Sequence, residues 1–137
     1  LEYVEGMAEL MAASDLVICK PGGLTVTECL CAEAPMILLG RAYGQENINV
    51  RMLTSLGAAL HVTTARELVG AMGHVDANPA IVEAMLTQGS FLRRPNAAID
   101  IARNALRLAA AEPSTDARMR KKHFLHFYWG HTPAHIR

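Results

Sequence analysis

The chain has little of several features that mark particular classes of protein. Its three cysteines lie inside apolar segments, without the paired spacing of a zinc site or a disulfide framework. No apolar run approaches the roughly 20 residues that span a bilayer, and no basic segment followed by an apolar one opens the chain. Basic and acidic residues are equal in number, at 13 each. We therefore expect no disulfide scaffold, no spanning helix and no binding of nucleic acid through overall charge.

The composition indicates a single globular domain with a buried core. Hydrophobic residues make up 51% of the 137 positions, which is too many for a disordered chain. The unpaired cysteines favour a reducing, cytoplasmic setting. Because Leu1 rather than methionine stands first, we expect a fragment or a processed chain.

Short apolar runs alternate with helical patterns over the first half of the chain. A first helix is predicted around Met7, Leu10 and Met11. Strands are predicted at 16–19, 36–39 and 59–62, and helices at 24–34, 47–56, 65–72, 79–88 and 96–111, with Thr63 or Thr64 as an N-cap. Such alternation implies right-handed crossovers and a parallel sheet covered on both faces. The predicted fold class is α/β, a Rossmann-like parallel sheet with flanking helices.

The composition changes after residue 112, so we divide the chain into a domain at 1–112 and a basic, aromatic tail at 113–137. The tail places cations beside aromatic side chains, at Arg118, Arg120, Lys121, Lys122, Phe124, Phe127, Tyr128 and Trp129. This combination is typical of peripheral contact with an anionic bilayer. Packing of the tail on a further domain is the alternative. His131 and His135 have chelating spacing, but Pro133 disfavours a helix there, and we predict no metal site.

A glycine-rich turn joins the first predicted strand to the helix that follows it. It reads Lys20-Pro21-Gly22-Gly23-Leu24-Thr25-Val26-Thr27-Glu28. The two glycines allow the backbone to approach a ligand closely. The amides at the start of a helix present positive partial charge to an anion. The turn therefore predicts a phosphate-binding site.

A second polar segment follows the second predicted strand. It reads Gly44-Gln45-Glu46-Asn47-Ile48-Asn49 and comes soon after Pro35-Met36-Ile37-Leu38-Leu39. The carboxyl ends of parallel strands are where open α/β sheets bind ligands. We expect the two segments to contribute to one site.

As a pair, the segments closely resemble those of the C-terminal domain of GT-B glycosyltransferases. The similarity is nearest to diacylglycerol glycosyltransferases and monogalactosyldiacylglycerol synthases, and more distant to the peptidoglycan N-acetylglucosaminyltransferase. It covers residues 4–110 and is sharpest over residues 15–60. The chain is thus identified as a partial C-terminal domain of a GT-B fold.

The resemblance implies a hexosyltransferase in which this domain holds a UDP-sugar donor. The acceptor, a lipid such as diacylglycerol, and the catalytic base would belong to an N-terminal domain that lies outside this sequence. The residues implied to meet the diphosphate are Gly22, Gly23, Leu24 and Thr25. Glu28 would accept hydrogen bonds from the ribose, and the residues implied to face the hexose or its phosphates are Gln45, Glu46 and Asn49. The donor is a substrate, and no cofactor is expected.

The chemistry of the predicted reaction agrees with these roles. Cleavage of a sugar from UDP leaves growing negative charge on the diphosphate, which fixed amide donors and a helix dipole stabilise. No Asp-x-Asp pair is present to hold a metal for that purpose. A carboxylate such as Glu28 accepts from two neighbouring hydroxyls at once.

The same residues also have structural interpretations that involve no ligand. Thr25 and Glu28 have the spacing of a capping box. The segment from Gln45 to Asn47 has the composition of an ordinary helix start. Lys20 is either a phosphate contact or a solvated surface cation.

Two other functions remain open from the sequence. A UDP-sugar epimerase shares the two-domain plan but needs acidic and histidine residues around the sugar to remove and return a proton. In a non-catalytic nucleotide- or membrane-binding module, the glycine-rich turn would be structural and the tail would form the working surface.

Overall fold

The computed structural model describes residues 4–110 of the chain. The contacts divide the chain between Pro95 and Asn96 into two compact units. In chain order the first unit contains α1 (Met7–Ala12), β1 (Val17–Cys19), α2 (Gly23–Cys31), β2 (Met36–Leu39), α3 (Gln45–Ser55), β3 (Leu60–Val62), α4 (Ala65–Ala77) and α5 (Pro79–Ser90). Within the described residues, the second unit contains α6 (Ala97–Ala110).

The three strands form one parallel sheet in the order β1-β2-β3. Ile37 of the central strand pairs with Ile18 on one side and with Leu60 on the other. Met36, Ile37 and Leu38 are almost fully buried. A parallel strand covered on both faces has a continuous apolar sequence, which is the pattern that predicted it. The predicted α/β fold with a parallel sheet is confirmed.

The core holds the helices against the sheet. Val26, Cys29 and Leu30 of α2 and Leu53 of α3 are buried in one cluster with Met36 and Leu38 of β2. Burial of these side chains contributes most of the free energy that fixes the two helices. The buried faces of α2 and α3 therefore anchor the helices, while their amino ends follow directly from β1 and β2.

Most predicted helix ends lie within two residues of those in the structure, but those of α2 and α4 were wrong by more than that. α2 ends at Cys31 rather than residue 34. α4 continues to Ala77 rather than ending at Met72 before Gly73. A glycine weakens a helix by about 1 kcal/mol. Burial of Val75 on the same helix offsets that cost, so α4 runs through the glycine.

The early end of α2 is a Schellman motif with a glutamate in the place usually taken by glycine. The amide of Glu33 donates to the carbonyl of Leu30, and the amide of Ala34 donates to the carbonyl of Cys29. Glu33 has φ +56°, in the left-handed region that favours glycine. Its carboxylate forms an ion pair with Arg93. This turn redirects the chain from α2 into β2.

The predicted N-cap at Thr64 is confirmed. The Thr64 hydroxyl accepts from the amide of Glu67, and the Glu67 carboxylate accepts from the amide of Thr64. The amide and hydroxyl of Thr63 also donate to this carboxylate. These hydrogen bonds, chiefly that of the Thr63 amide, lower the pKa of Glu67.

The second unit is an amphipathic helix in its described part. α6 confirms the helix predicted at 96–111, and Ile99, Ile101, Leu106 and Leu108 are each more than half exposed. The guanidinium nitrogen Nη1 of Arg103 lies 3.6 Å from the carboxylate oxygen Oδ1 of Asp100, which is three residues earlier on the helix. Over residues 4–110, no helix has both the length and the apolar character that crossing a bilayer requires.

The tail predictions lie outside the described residues. They concern the boundary between residues 112 and 113, the basic and aromatic cluster from Arg118 to Trp129, and His131 and His135. They stay predictions from the sequence.

Candidate functional site

The amino end of α2 presents free backbone amides directly after β1. Gly22 is the N-cap, with extended φ and ψ, and no side chain in the described part of the chain caps the helix. The amide of Val26 makes the first helical bond, donating to the carbonyl of Gly22 at 3.0 Å. The preceding amides, those of Gly23, Leu24 and Thr25, have no carbonyl one turn earlier to bond. Free amides at the start of a helix are a common arrangement for contact with an anion.

Little covers this helix end in the described residues. A Cβ built on Gly22 meets nothing within 4 Å, and one built on Gly23 meets only the Asn49 side chain, at 4.0 Å. Leu24 is 80% exposed. Lys20, at the start of the turn, is exposed as well. An anionic group can therefore reach the amides without displacing protein atoms.

The amino end of α3 follows β2 through a second glycine turn. Gly44 is the N-cap, with φ 54° and ψ −121°, which are angles that only glycine adopts readily. The amide of Glu46 donates to the carbonyl of Tyr43 at 3.1 Å, which tightens the turn. Gln45 is exposed and Glu46 half-buried in the first turn of α3.

A side chain of α3 connects the two turns. The Asn49 side-chain nitrogen donates to the carbonyl oxygen of Pro21 at 2.9 Å. Asn49 lies one turn into α3, and Pro21 precedes the N-cap of α2. The two segments that the sequence predicted to share one site are thus in direct contact.

Glu28 faces a separate part of this surface. It lines a hollow of about 440 Å³ between α1 and α2, together with Ala8, Glu9, Ala12, Cys31 and Ala32. Glu28 is exposed and lies more than one turn from the start of α2. Its side chain is therefore accessible to a molecule in the hollow.

Sequence reasoning did not single out Glu9, which lines the same hollow as Glu28. α1 and α2 come together through a tertiary contact, and no spacing within the sequence relates the two glutamates. Only the packing of the two helices brings them to one hollow.

The capping-box interpretation of Thr25 and Glu28 was wrong. Thr25 is the third residue of α2 rather than its N-cap, so Thr25 and Glu28 do not form a capping box. The segment from Gln45 to Asn47 does form the first turn of α3, as the alternative interpretation expected, but no side chain in the described residues caps that helix, whose N-cap is Gly44. Thr27 turns its hydroxyl back to the carbonyls of Gly23 and Leu24, at 2.9 and 2.8 Å.

Two cysteines of β1 and α2 interact through their thiols. The thiols of Cys19, at the end of β1, and Cys29, on α2, form a hydrogen bond that lowers the pKa of Cys19 and raises the pKa of Cys29. Burial adds to the increase at Cys29. Within residues 4–110, no group of three histidine, cysteine or acidic side chains is arranged to hold a metal.

Comparison with known proteins gives a family for this arrangement. The model of the glycosyltransferase family 28 C-terminal domain matches residues 1–86. The processive diacylglycerol beta-glucosyltransferase of Staphylococcus carnosus is 41% identical over 69 residues, which are 50% of this chain and 18% of that protein.

The UDP-N-acetylglucosamine–N-acetylmuramyl-(pentapeptide) pyrophosphoryl-undecaprenol N-acetylglucosamine transferase of Azotobacter vinelandii is 31% identical over 102 residues, covering 69% of this chain and 29% of that protein. This chain therefore spans less than a third of either relative.

A solved structure shares the fold. The crystal structure of Acinetobacter baumannii MurG superimposes with a TM-score of 0.63 at 24% identity, covering 74% of this chain and 31% of MurG. The family match extends over both glycine turns and the helices that follow them. The resemblance predicted from the two segments is confirmed, and the chain belongs to the glycosyltransferase family 28 C-terminal domains.

Proposed function

We propose that this chain is the donor-binding part of a hexosyltransferase, which transfers a sugar from a UDP-sugar to a lipid acceptor such as diacylglycerol. The acceptor site and the catalytic base belong to an N-terminal domain in this proposal, and the chain alone turns over no substrate. Residues 1–112 form the nucleotide-sugar-binding domain and residues 113–137 the tail.

One observation carries the proposal. The uncapped amino end of α2 is tied through Asn49 and Pro21 to α3, whose own first turn carries Gln45 and Glu46. A diphosphate placed at α2 has hydroxyl-binding side chains beside it. Because α2 and α3 are already held side by side, the phosphate and the sugar of one ligand can contact both helices at once.

The diphosphate is proposed to rest on the backbone of Gly22, Gly23, Leu24 and Thr25. During transfer, negative charge grows on the UDP leaving group. The amides at the start of α2 are fixed before the reaction, so they stabilise this charge without reorganising. Each amide–phosphate bond is charge-assisted and stronger than a bond between neutral groups.

The sugars are proposed to bind to carboxylate and amide side chains. Glu28 accepts hydrogen bonds from the ribose hydroxyls in the hollow between α1 and α2. The Gln45 amide donates to and accepts from the hexose, and the Glu46 carboxylate accepts from its hydroxyls. One N–H of the Asn49 side chain donates to Pro21, and the side-chain oxygen is proposed to accept from a sugar hydroxyl.

A lipid acceptor agrees with the names of the two relatives, which include diacylglycerol and a pyrophosphoryl-undecaprenol. We propose a cytoplasmic protein in peripheral contact with the membrane, the contact being made by the cations and aromatic residues of the tail. The UDP-sugar is a substrate, and the proposal includes no cofactor.

Calorimetric titration of the full chain with UDP tests the proposal. Binding is expected, and Glu28→Ala should weaken it roughly tenfold, because a hydrogen bond to a charged group contributes about 1.5–3 kcal/mol. Glu83→Ala is the matched control, since Glu83 is an exposed glutamate on α5. Absence of binding by the unmodified chain, or equal weakening by both variants, would overturn the proposal.

A further inference from the structure

His61 contacts the start of the turn that leads into α3. Its ring nitrogen Nε2 lies 2.8 Å from the carbonyl oxygen of Gly40. A carbonyl only accepts, so Nε2 carries the proton and donates. The amide of Gly40 in turn donates to the carbonyl of Val62 at 2.9 Å. Both sides of Gly40, the first residue after β2, are therefore held by β3.

The register of the sheet explains why a side chain is needed there. Leu39 pairs with Val62, so Gly40 stands opposite Thr63. In a continued parallel ladder, the amide of Thr64 would donate to the carbonyl of Gly40. That amide instead donates to the Glu67 carboxylate in the capping box of α4. The ladder ends one bond early, and His61 supplies the missing donor.

The bond fixes the direction in which the chain leaves β2. Gly40 has φ +104°, so its backbone turns sharply as the strand ends. Four residues later, Gly44 caps α3, and Gln45 and Glu46 follow. A shift at Gly40 therefore moves the whole first turn of α3.

We propose that His61 is a positioning residue for the donor-sugar side of the site. It contacts no ligand itself but sets the place of the turn at 40–44, and through it that of Gln45 and Glu46. This inference rests on the proposed function for its effect on donor affinity. The effect on the turn itself needs no ligand.

Two variants separate the hydrogen bond from the bulk of the ring. His61→Phe keeps a flat ring of similar size without a donor, and His61→Gln keeps a side-chain N–H. His74→Ala is the matched control, because His74 is an exposed histidine on α4. Amide hydrogen exchange is measured on the full chain without ligand, and affinities for UDP and for UDP-glucose are measured by calorimetry.

In His61→Phe, the exchange rate should rise roughly three- to tenfold at the amides of Gly40, Glu46 and Asn47. This is the change expected when the stabilisation from one hydrogen bond is lost. The amide of Val17, which bonds across β1 and β2 to Pro35, should not change. Affinity for UDP-glucose should fall by a similar factor and affinity for UDP by less. His61→Gln should restore part of both effects.

Three results would overturn the inference. They are equal exchange in His61→Phe and His74→Ala, a rise spread evenly over all amides, and loss of the fold in both His61 variants, which would make His61 a core residue. If the unmodified chain binds no UDP but the exchange result holds, the proposed function fails while the structural role of His61 stands.

Discussion

The side-chain nitrogen of Asn49 donates to the carbonyl oxygen of Pro21 across 28 positions of the sequence. The bond is partly buried and joins the second turn of α3 to the turn that precedes α2. The amino ends of the two helices therefore cannot separate without breaking it. This contact ties together two loops that follow different strands.

Replacement of Asn49 by aspartate removes the donor while keeping the shape of the side chain. An ionised carboxylate only accepts, so it would face the Pro21 carbonyl without a bond. We expect the free energy of unfolding to fall by about 1–2 kcal/mol, measured by urea denaturation. Asn47→Asp adds the same charge to an exposed position of α3 and should change stability little. Equal losses in the two variants would contradict a specific role for the bond.

Gly23→Ala tests whether the glycine serves the fold or the ligand. A Cβ there has room, with the Asn49 nitrogen at 4.0 Å, and alanine favours a helix by up to about 1 kcal/mol. The melting temperature should therefore stay the same or rise. The added Cβ should keep a phosphate from approaching the backbone closely. The affinity for UDP should then fall roughly tenfold, because the loss of one hydrogen bond to a charged group costs about 1.5 kcal/mol.

Gly70→Ala is the control for this experiment. Gly70 lies in α4, and a Cβ built there meets nothing within 4 Å. It should stabilise the chain without changing UDP affinity. A Gly23→Ala variant that keeps full affinity would show that the ligand does not approach the backbone at α2.

Glu67 makes the start of α4 sensitive to acid. Its pKa is lowered in the folded chain, mainly by the amide of Thr63, and is ordinary in the unfolded chain. The stabilisation is therefore complete above the usual glutamate pKa of about 4.3 and is lost as the pH falls through the lower folded value. Thermal melts from pH 6 to pH 3 should show a steeper loss for the unmodified chain than for Glu67→Gln. Parallel curves would contradict this prediction.

Glu33→Gly should stabilise the turn between α2 and β2. Glycine adopts the left-handed conformation of Glu33 without the cost of about 1 kcal/mol that a side chain imposes. The ion pair with Arg93 lies at the surface and contributes less than that. Glu33→Gln removes the charge but keeps the side chain, so it should be neutral or slightly destabilising by urea denaturation. A Glu33→Gly variant less stable than Glu33→Gln would argue that the ion pair dominates.

The local features of this fold could be predicted from the sequence. The apolar run of β2 and the N-cap at Thr64 both depend on neighbouring residues, and both predictions were confirmed. The end of α2 could not be predicted, because Glu33 occupies a position where the usual signal is glycine.

The long-range contacts around the candidate site could not be predicted from the sequence either. Glu28 was assigned from a family resemblance, whereas Glu9 reaches the same hollow only because α1 packs on α2. His61 bonds to Gly40 because the capping box removes a ladder donor. This replacement of a backbone donor by a side-chain donor depends on the register of two strands, which the sequence does not specify residue by residue.

Titration of the ¹⁵N-labelled chain with UDP tests the central claim most directly. If the diphosphate binds at the amino end of α2, the amide resonances of Gly23, Leu24 and Thr25 should shift most and with one common affinity. Saturable shifts confined to other parts of the chain, with these three amides unmoved, would contradict the account.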